Sequence, residues 1–190
     1  MTEEIEIKEL SEVVVRFSGD SGDGMQLAGN IFSTISATVG NGISTFPDYP
    51  ADIRAPQGSL TGVSGFQVHI GSGPVYTPGD QCDVLVAMNA AALKTQYKYA
   101  KPQATIIIDT DSFGAMDLKK ADFKTDDYLA ELGIDPDRVV ACPITQMVKA
   151  IAADSTDSKT ALKCRNMFAL GLVCWLFNRE VSLVENFLRE

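Results

Sequence analysis

A β-branched run, a glycine turn and a helical apolar period follow one another without interruption between Glu12 and Gly40. Glu12 to Phe17 reads EVVVRF, which suits a buried strand. GDSGDG follows at Gly19 to Gly24, and then Met25, Leu27, Ala28, Ile31, Phe32, Ile35 and Val39 recur at the spacing of one helix face. Gly40 and Gly42 supply the stop. A chain that opens as strand, tight turn and helix is committed to α/β architecture if the alternation continues.

It does continue. ISTF at Ile43 to Phe46 can form a second strand, GFQVHI another, and DVLVAM (Asp83 to Met88) and ATIIID (Ala104 to Asp109) two more. Asn89 is placed to cap the helix AAALKTQYKYA, which the sequence ends near Pro102. Thr110 to Pro136 reads as loops with short helices. RVVACP is a short strand, followed by a helix around Ile144 to Ala153, a polar break from Asp154 to Lys159 and an apolar core helix from Lys163 to Phe177. Ser182 is the expected cap of a last helix. The expectation is a single Rossmann-like three-layer α/β domain over residues 1–190, with a mostly parallel sheet and helices on both faces. The last helical pattern runs to Glu190 without a C-cap, which suits a short terminal helix or a domain cut from a longer polypeptide. The segment Pro47 to Gly65 breaks the alternation with three prolines and three glycines, and is expected to be an ordered loop anchored by Phe46, Tyr49, Ile53 and Leu60.

Composition removes several function classes. Of 190 residues, 25 are Asp or Glu and 16 Lys or Arg, so the net charge of −9 gives no general surface for nucleic acid. No apolar run reaches the roughly 18 residues of a spanning helix, and MTEEIEIKEL lacks the apolar centre of a secretory signal. A cytoplasmic protein with no membrane partner is expected. Cys82, Cys142, Cys164 and Cys174 form no CxxC pair, so neither an iron–sulfur cluster nor structural zinc is expected, and the cysteines read as reduced and mostly buried. His69 is the one histidine and reads as a strand residue, which leaves no His-based metal centre.

GDSGDG has the spacing GxxGxG. Its glycines let a ligand approach the backbone, and the following helix offers free N–H groups to a phosphate. Asp20 and Asp23 would repel a polyanion unless they face away or bind hydroxyls, and a tight structural connection explains the turn equally well. A Walker motif is excluded because Met25 and Gln26 follow Gly24. A dinucleotide site lacks both the GxGxxG spacing and the acidic residue after the second strand. Arg54 can bind a phosphate or pair with Asp48 or Asp52. Asn89 can meet a ligand at a strand's carboxyl end or cap its helix. Arg165 can be a surface residue, and Asn166 either a surface residue or a buried hydrogen-bonder.

The motifs RFSGDSGDGMQLAGNIF, STFPDYPADIRAPQGSLTGVSGFQVHIGS, TPGDQCDVLVAMNAAALK, IIIDTDSF and CRNMFALGLVCWLFNR occur in this order from about Val13 to the end. Together they resemble the gamma domain of 2-oxoacid:ferredoxin oxidoreductases, with Arg54-Ala55-Pro56 in the longer loop form of the 2-oxoglutarate branch. That resemblance implies an enzyme converting 2-oxoglutarate, coenzyme A and oxidised ferredoxin to succinyl-CoA, carbon dioxide and reduced ferredoxin, with this domain inactive alone. It implies partner alpha and beta subunits or domains that carry thiamine diphosphate and the iron–sulfur cluster. Gly22-Asp23-Gly24 starts like a thiamine diphosphate motif, but the paired asparagines that would complete it are missing. For this chain the resemblance implies coenzyme A binding and subunit assembly, through Gly19, Asp20, Ser21, Gly22, Asp23, Gly24, Arg54, Asn89 and Asn166, with no catalytic residue and no metal ligand. An assembly module of a pyruvate or branched-chain 2-oxoacid enzyme, without ligand contact, is the alternative.

Overall fold

The computed structural model describes residues 9–52, 54–153 and 157–189. Six strands form one sheet in the order β2-β3-β1-β4-β5-β6. They are β1 (Glu12–Asp20), β2 (Gly42–Asp48), β3 (Val63–Gly71), β4 (Cys82–Ala87), β5 (Ala100–Asp109) and β6 (Val139–Cys142). β1, β4, β5 and β6 run parallel, while β3 is antiparallel to both β1 and β2. The sheet is mixed, mostly parallel in the half that follows β1.

Alternation along the strands divides the core between two faces. Val13, Val15 and Phe17 of β1, with Val84 and Val86 of β4, point to one face. There they meet α1 (Met25–Thr38), α5 (Ile144–Ala152) and α7 (Arg165–Leu176), with α8 (Val181–Arg189) behind. Val14, Leu85, Ala87, Ile106 and Ile108 point to the other face, under α2 (Ala90–Gln96), α3 (Ala115–Lys120) and α4 (Tyr128–Leu132). Helices therefore cover both faces, as the alternating sequence requires. α6 (Ser158–Leu162) joins the first layer through Ala161. No helix among the described residues is long and apolar enough to cross a membrane.

Several expectations change. α2 ends at Gln96 and a 3-10 turn spans Tyr97–Tyr99, so Pro102 lies inside β5 and does not stop the helix. The ladder to β4 jumps from Ala100 to Thr105 at this point, so the missing N–H of Pro102 costs no strand pairing there. Pro47 ends up in edge strand β2 and Gly65 in β3, which shortens the irregular loop at both ends. Phe46, Tyr49 and Leu60 are 50%, 72% and 36% exposed and anchor nothing, while Ile53 lies outside the described residues. What holds this loop is polar: Arg16, buried in β1, reaches Asp48 at 2.5 Å, and Gln26 of α1 donates to the Asp48 and Gly65 carbonyls. Ser182 sits inside α8 and donates to Glu180 instead of capping. The acidic start and part of the polar break after Ala153 lie outside the described residues.

Candidate functional site

β1 is the strand at which the topology diverges. The chain leaves β1 for α1 on one face and leaves β4 for α2 on the other, so the carboxyl ends of these neighbouring parallel strands stay uncovered. Ligands gather at such switch points in open α/β sheets. Here the opening is a cleft of about 520 Å³ that adjoins a smaller one of about 200 Å³.

The turn builds one wall. Asp20 ends β1, and Gly24 takes the left-handed conformation (φ 71°) that starts α1 without a side-chain cap. Asp23 folds back, accepting the Asp20 N–H at 2.9 Å through one oxygen and pairing with Arg165 at 2.7 Å through the other. The second wall is the loop carrying Asp52, Ala55, Pro56 and Gln57. It is stapled to the turn twice: Gly58 N–H donates to Asp20 Oδ2 at 2.9 Å and Ser21 N–H to the Gly62 carbonyl at 3.1 Å. Leu162 at the end of α6, Lys163 after it and Arg165 at the start of α7 close the third side. The smaller cleft shares Asp20, Asp23, Gln57 and Arg165 and runs on to Asn89, Asp117 and Lys120.

Behind the turn lies a buried charge cluster. Arg165 reaches Asp109 Oδ2 at 3.7 Å, and Asp109, wholly buried at the end of β5, accepts from the Thr145 hydroxyl at 2.6 Å and from its N–H at 3.2 Å. One guanidinium thus joins the ends of β1 and β5 to the first turn of α5. Burial, then the neighbouring Asp23, pushes the Asp20 carboxyl above its ordinary 3.8. Burial also pushes Asp23 up, with Arg165 opposing it. Asp20 Oδ1 is buried without a hydrogen-bond partner among the described residues.

The expected site residues separate into three groups. Asp20, Ser21, Gly22, Asp23 and Asn89 line the clefts. Gly19, Gly24 and Asn166 stand behind them: the Asn166 amide donates to the Gly24 carbonyl at 3.3 Å and fills the space over that glycine. Arg54 is exposed on the loop and borders neither cleft. Its expected ion pair with Asp48 or Asp52 does not form among the described residues, because Asp48 is taken by Arg16 and Asp52 accepts only the Arg54 backbone N–H. Asn89 does cap α2, accepting from Ala92 N–H at 2.8 Å. Arg165, Lys163, Lys120 and Asp109 were not selected from the sequence. Arg165 and Asp109 meet their partners from dozens of positions away, so no local pattern marks them.

No group of three or more His, Cys, Asp or Glu among the described residues could hold a metal ion. The four cysteines are free. Cys82 and Cys174 are buried, which pushes their thiols up to about 12 and about 11, whereas Cys164 is exposed. His69 is a β3 residue, with Nδ1 2.7 Å from the Thr77 carbonyl.

A mixed sheet with helices on both faces and a glycine-turn crevice at its switch point defines an α/β domain of the doubly covered type. The chain belongs to the pyruvate ferredoxin/flavodoxin oxidoreductase family, whose profile matches residues 14–190. It is 43% identical over 183 residues to the 2-oxoglutarate oxidoreductase subunit KorA of Mycobacterium tuberculosis, covering 95% of this chain and 28% of that protein. The chain thus spans little more than a quarter of this relative. Two solved structures share the fold. One is the 2-oxoglutarate:ferredoxin oxidoreductase from Magnetococcus marinus, solved with 2-oxoglutarate, coenzyme A and succinyl-CoA bound (TM-score 0.67, 24% identity, 94% of this chain and 26% of that one). The other is the keto/oxoacid ferredoxin oxidoreductase gamma subunit from Geobacter sulfurreducens (TM-score 0.65, 22% identity, 93% and 83%). The family resemblance carried by the sequence motifs is borne out.

Proposed function

We propose that this chain is the gamma domain of a 2-oxoglutarate:ferredoxin oxidoreductase, contributing a wall of the coenzyme A site and a surface for subunit assembly. The observation that carries the ligand part is the cleft of about 520 Å³ at the switch point, bounded by the glycine turn and by Lys163 and Arg165. The 43% identity to a 2-oxoglutarate oxidoreductase subunit supports the choice of 2-oxoacid. The difficulty of an acidic turn is reduced by the geometry: both Asp23 oxygens are engaged within the chain, and Asp20 binds the Gly58 N–H. Asn89 and the turn residues Asp20 to Asp23 shape the clefts, Gly19, Gly24 and Asn166 support the turn from behind, and Arg54, which borders neither cleft, has no part in this reading.

Thiamine diphosphate and an iron–sulfur cluster belong, in this reading, to the partner alpha and beta subunits or domains, and ferredoxin is reached through the complex. The residues here do not suit either group. Asp23, the acid of the Gly22-Asp23-Gly24 sequence, has no oxygen left for a diphosphate-bound cation, and the cysteines do not converge. The chain's own role is to hold and orient the acyl acceptor. Exposed Trp175 (74%) and Tyr49 (72%) fit burial against other subunits of a cytoplasmic complex.

The test is reconstitution with the partner subunits and assay of ferredoxin reduction by 2-oxoglutarate. Ser21→Trp, which fills the cleft from an exposed position, should raise the KM for coenzyme A about tenfold or more and leave that for 2-oxoglutarate unchanged. An unchanged coenzyme A KM would favour a pure assembly role.

A further inference from the structure

The two helix layers differ in charge. α1 has no charged residue among its 14, and α7 has only Arg165 among its 12, turned inward to Asp23 and Asp109. The shorter helices of the opposite layer carry Lys94, Asp117, Lys119, Lys120 and Glu131. Large exposed apolar side chains follow the reverse pattern. Among the described residues Met116 is the one such residue on α2, α3 and α4, whereas α1 exposes Leu27 and α7 exposes Trp175. A helix that faces water carries its charges outward, and α1 and α7 do not.

The two helices make one surface. Asn166 at the start of α7 donates to Gly24 at the start of α1, and Arg179 just past α7 donates to Asn41 just past α1, so they lie side by side and run the same way. α7 buries Ala169, Leu170, Val173 and Cys174, yet its outer side, with Phe168, Gly171 and Trp175, is apolar as well. A helix that is apolar all round is a buried helix. On α1 the outward stripe is Leu27, Asn30 and Thr34, apolar or neutral, at the spacing of one helix face. A β-carbon on the exposed Gly171 would meet nothing within 4 Å, which leaves room there for a neighbour's side chain.

We infer that the α1–α7 face is the seat of the thiamine-carrying alpha polypeptide, which covers it permanently with an apolar surface that is itself free of charge. Charge decides between the occupants. A redox protein that comes and goes is steered by a charged patch, and this face offers none. A second copy would bring together two chains of net charge −9, with no outward cation on either helix to offset their repulsion. Permanent interfaces are apolar and poor in charge at their centre. The relative at 43% identity carries the matched stretch as 28% of its chain, so there the domain has a permanently attached neighbour larger than itself. The inference rests on the assembly part of the reading above and adds which face is used and by which partner. It does not involve the clefts.

The experiment is hydroxyl-radical footprinting of the assembled enzyme, joined to charge insertion. Trp175 (74% exposed) and Met116 (68%) lie in opposite helix layers, are similarly open in the domain and both oxidise readily, so each is a reference for the other. In the complex Trp175 should be oxidised about fivefold more slowly than Met116, or slower still. Leu27→Lys and Trp175→Glu each place an unpaired charge in the seat and should lower co-purification with a tagged alpha polypeptide about tenfold or more. Both positions are exposed in the domain, so melting temperatures should be unchanged. Met116→Lys should assemble like the parent. Equal oxidation of Trp175 and Met116 in an active complex, with both charged variants assembling as the parent does, would overturn the assignment of the face and leave the assembly reading standing. Variants that abolish self-association of this chain while the alpha polypeptide stays bound would give the face to a second copy and overturn it equally. If the parent chain binds no partner polypeptide at all, the assembly reading falls with it.

Discussion

Asp23 and Arg165 are 142 positions apart in the chain and meet at 2.7 Å, closing the glycine turn against the start of α7. Arg165 also faces the fully buried Asp109, so one side chain is the shared counter-charge of two carboxylates. Removing it leaves both without a counter-charge in a place that water barely reaches. Arg165→Ala should cost about 3 kcal/mol of stability, as for a buried pair that loses one member. Arg165→Lys should recover only part of this, because an ammonium cannot fork toward two acids. Chemical denaturation of the three proteins checks the order, and an alanine variant within about 0.5 kcal/mol of the parent would contradict it.

Gly24 and Gly22 stand two positions apart and should respond in opposite ways. Gly24 has φ 71°, and a β-carbon there would meet the Asn166 amide. Gly22 is not in the left-handed region, and a β-carbon there meets nothing within 4 Å. Gly24→Ala should destabilise by about 1–3 kcal/mol, whereas Gly22→Ala should be neutral or slightly stabilising. Thermal unfolding of the pair decides this. Equal effects would mean that the turn is not held in the conformation described.

The Asp20 and Asp23 carboxyls are both raised above 3.8, chiefly by burial. Between that value and the raised ones the native state holds protons that the unfolded chain has released. Stability therefore falls as pH rises through the window, and the ionised pair is a net cost at neutrality. Asp20→Asn keeps an acceptor for the Gly58 N–H and removes the charge. It should raise Tm by roughly 2–4 °C at pH 7, with the gain shrinking as pH falls toward the carboxyl range. A gain that does not vary with pH would locate the effect elsewhere.

What could be read from the sequence was local. The EVVVRF strand, the turn and the Met25–Thr38 helix carry their own periodicity, and the structure returns them with boundaries moved by a few residues. Strand direction is not local. GFQVHI has the same apolar content whether it pairs parallel or antiparallel, so the reversal at β3 had no signature. The exposure of Phe46 and Tyr49 was equally hidden, because their apolar character marks burial somewhere without saying whether it occurs inside this domain. Half of the site was legible for the same reason. Asp20 to Asp23 are consecutive and Asn89 sits at a strand end, whereas Arg165 and Asp109 acquire meaning only when the ends of β1 and β5 are brought together.

Asn89 combines a structural duty with a place in the smaller cleft, and substitution can separate the two. Its Oδ1 caps a helix of only seven residues. Asn89→Ala should lower stability by about 1 kcal/mol. Asn89→Ser restores an acceptor and should return most of that. If Asn89 also contacts ligand, the serine variant will remain weaker in coenzyme A binding after stability has recovered. Parallel melting and binding curves show whether the two recover together.

The central claim is that coenzyme A lies against this domain in the assembled enzyme. Photolabelling of that enzyme with a coenzyme A analogue bearing a photoreactive adenine, followed by peptide mapping, tests it most directly. Label should appear on the peptides carrying residues 19–24 and 162–165, and excess coenzyme A should suppress it. Label confined to the partner subunits, with these peptides unmodified, would contradict the account.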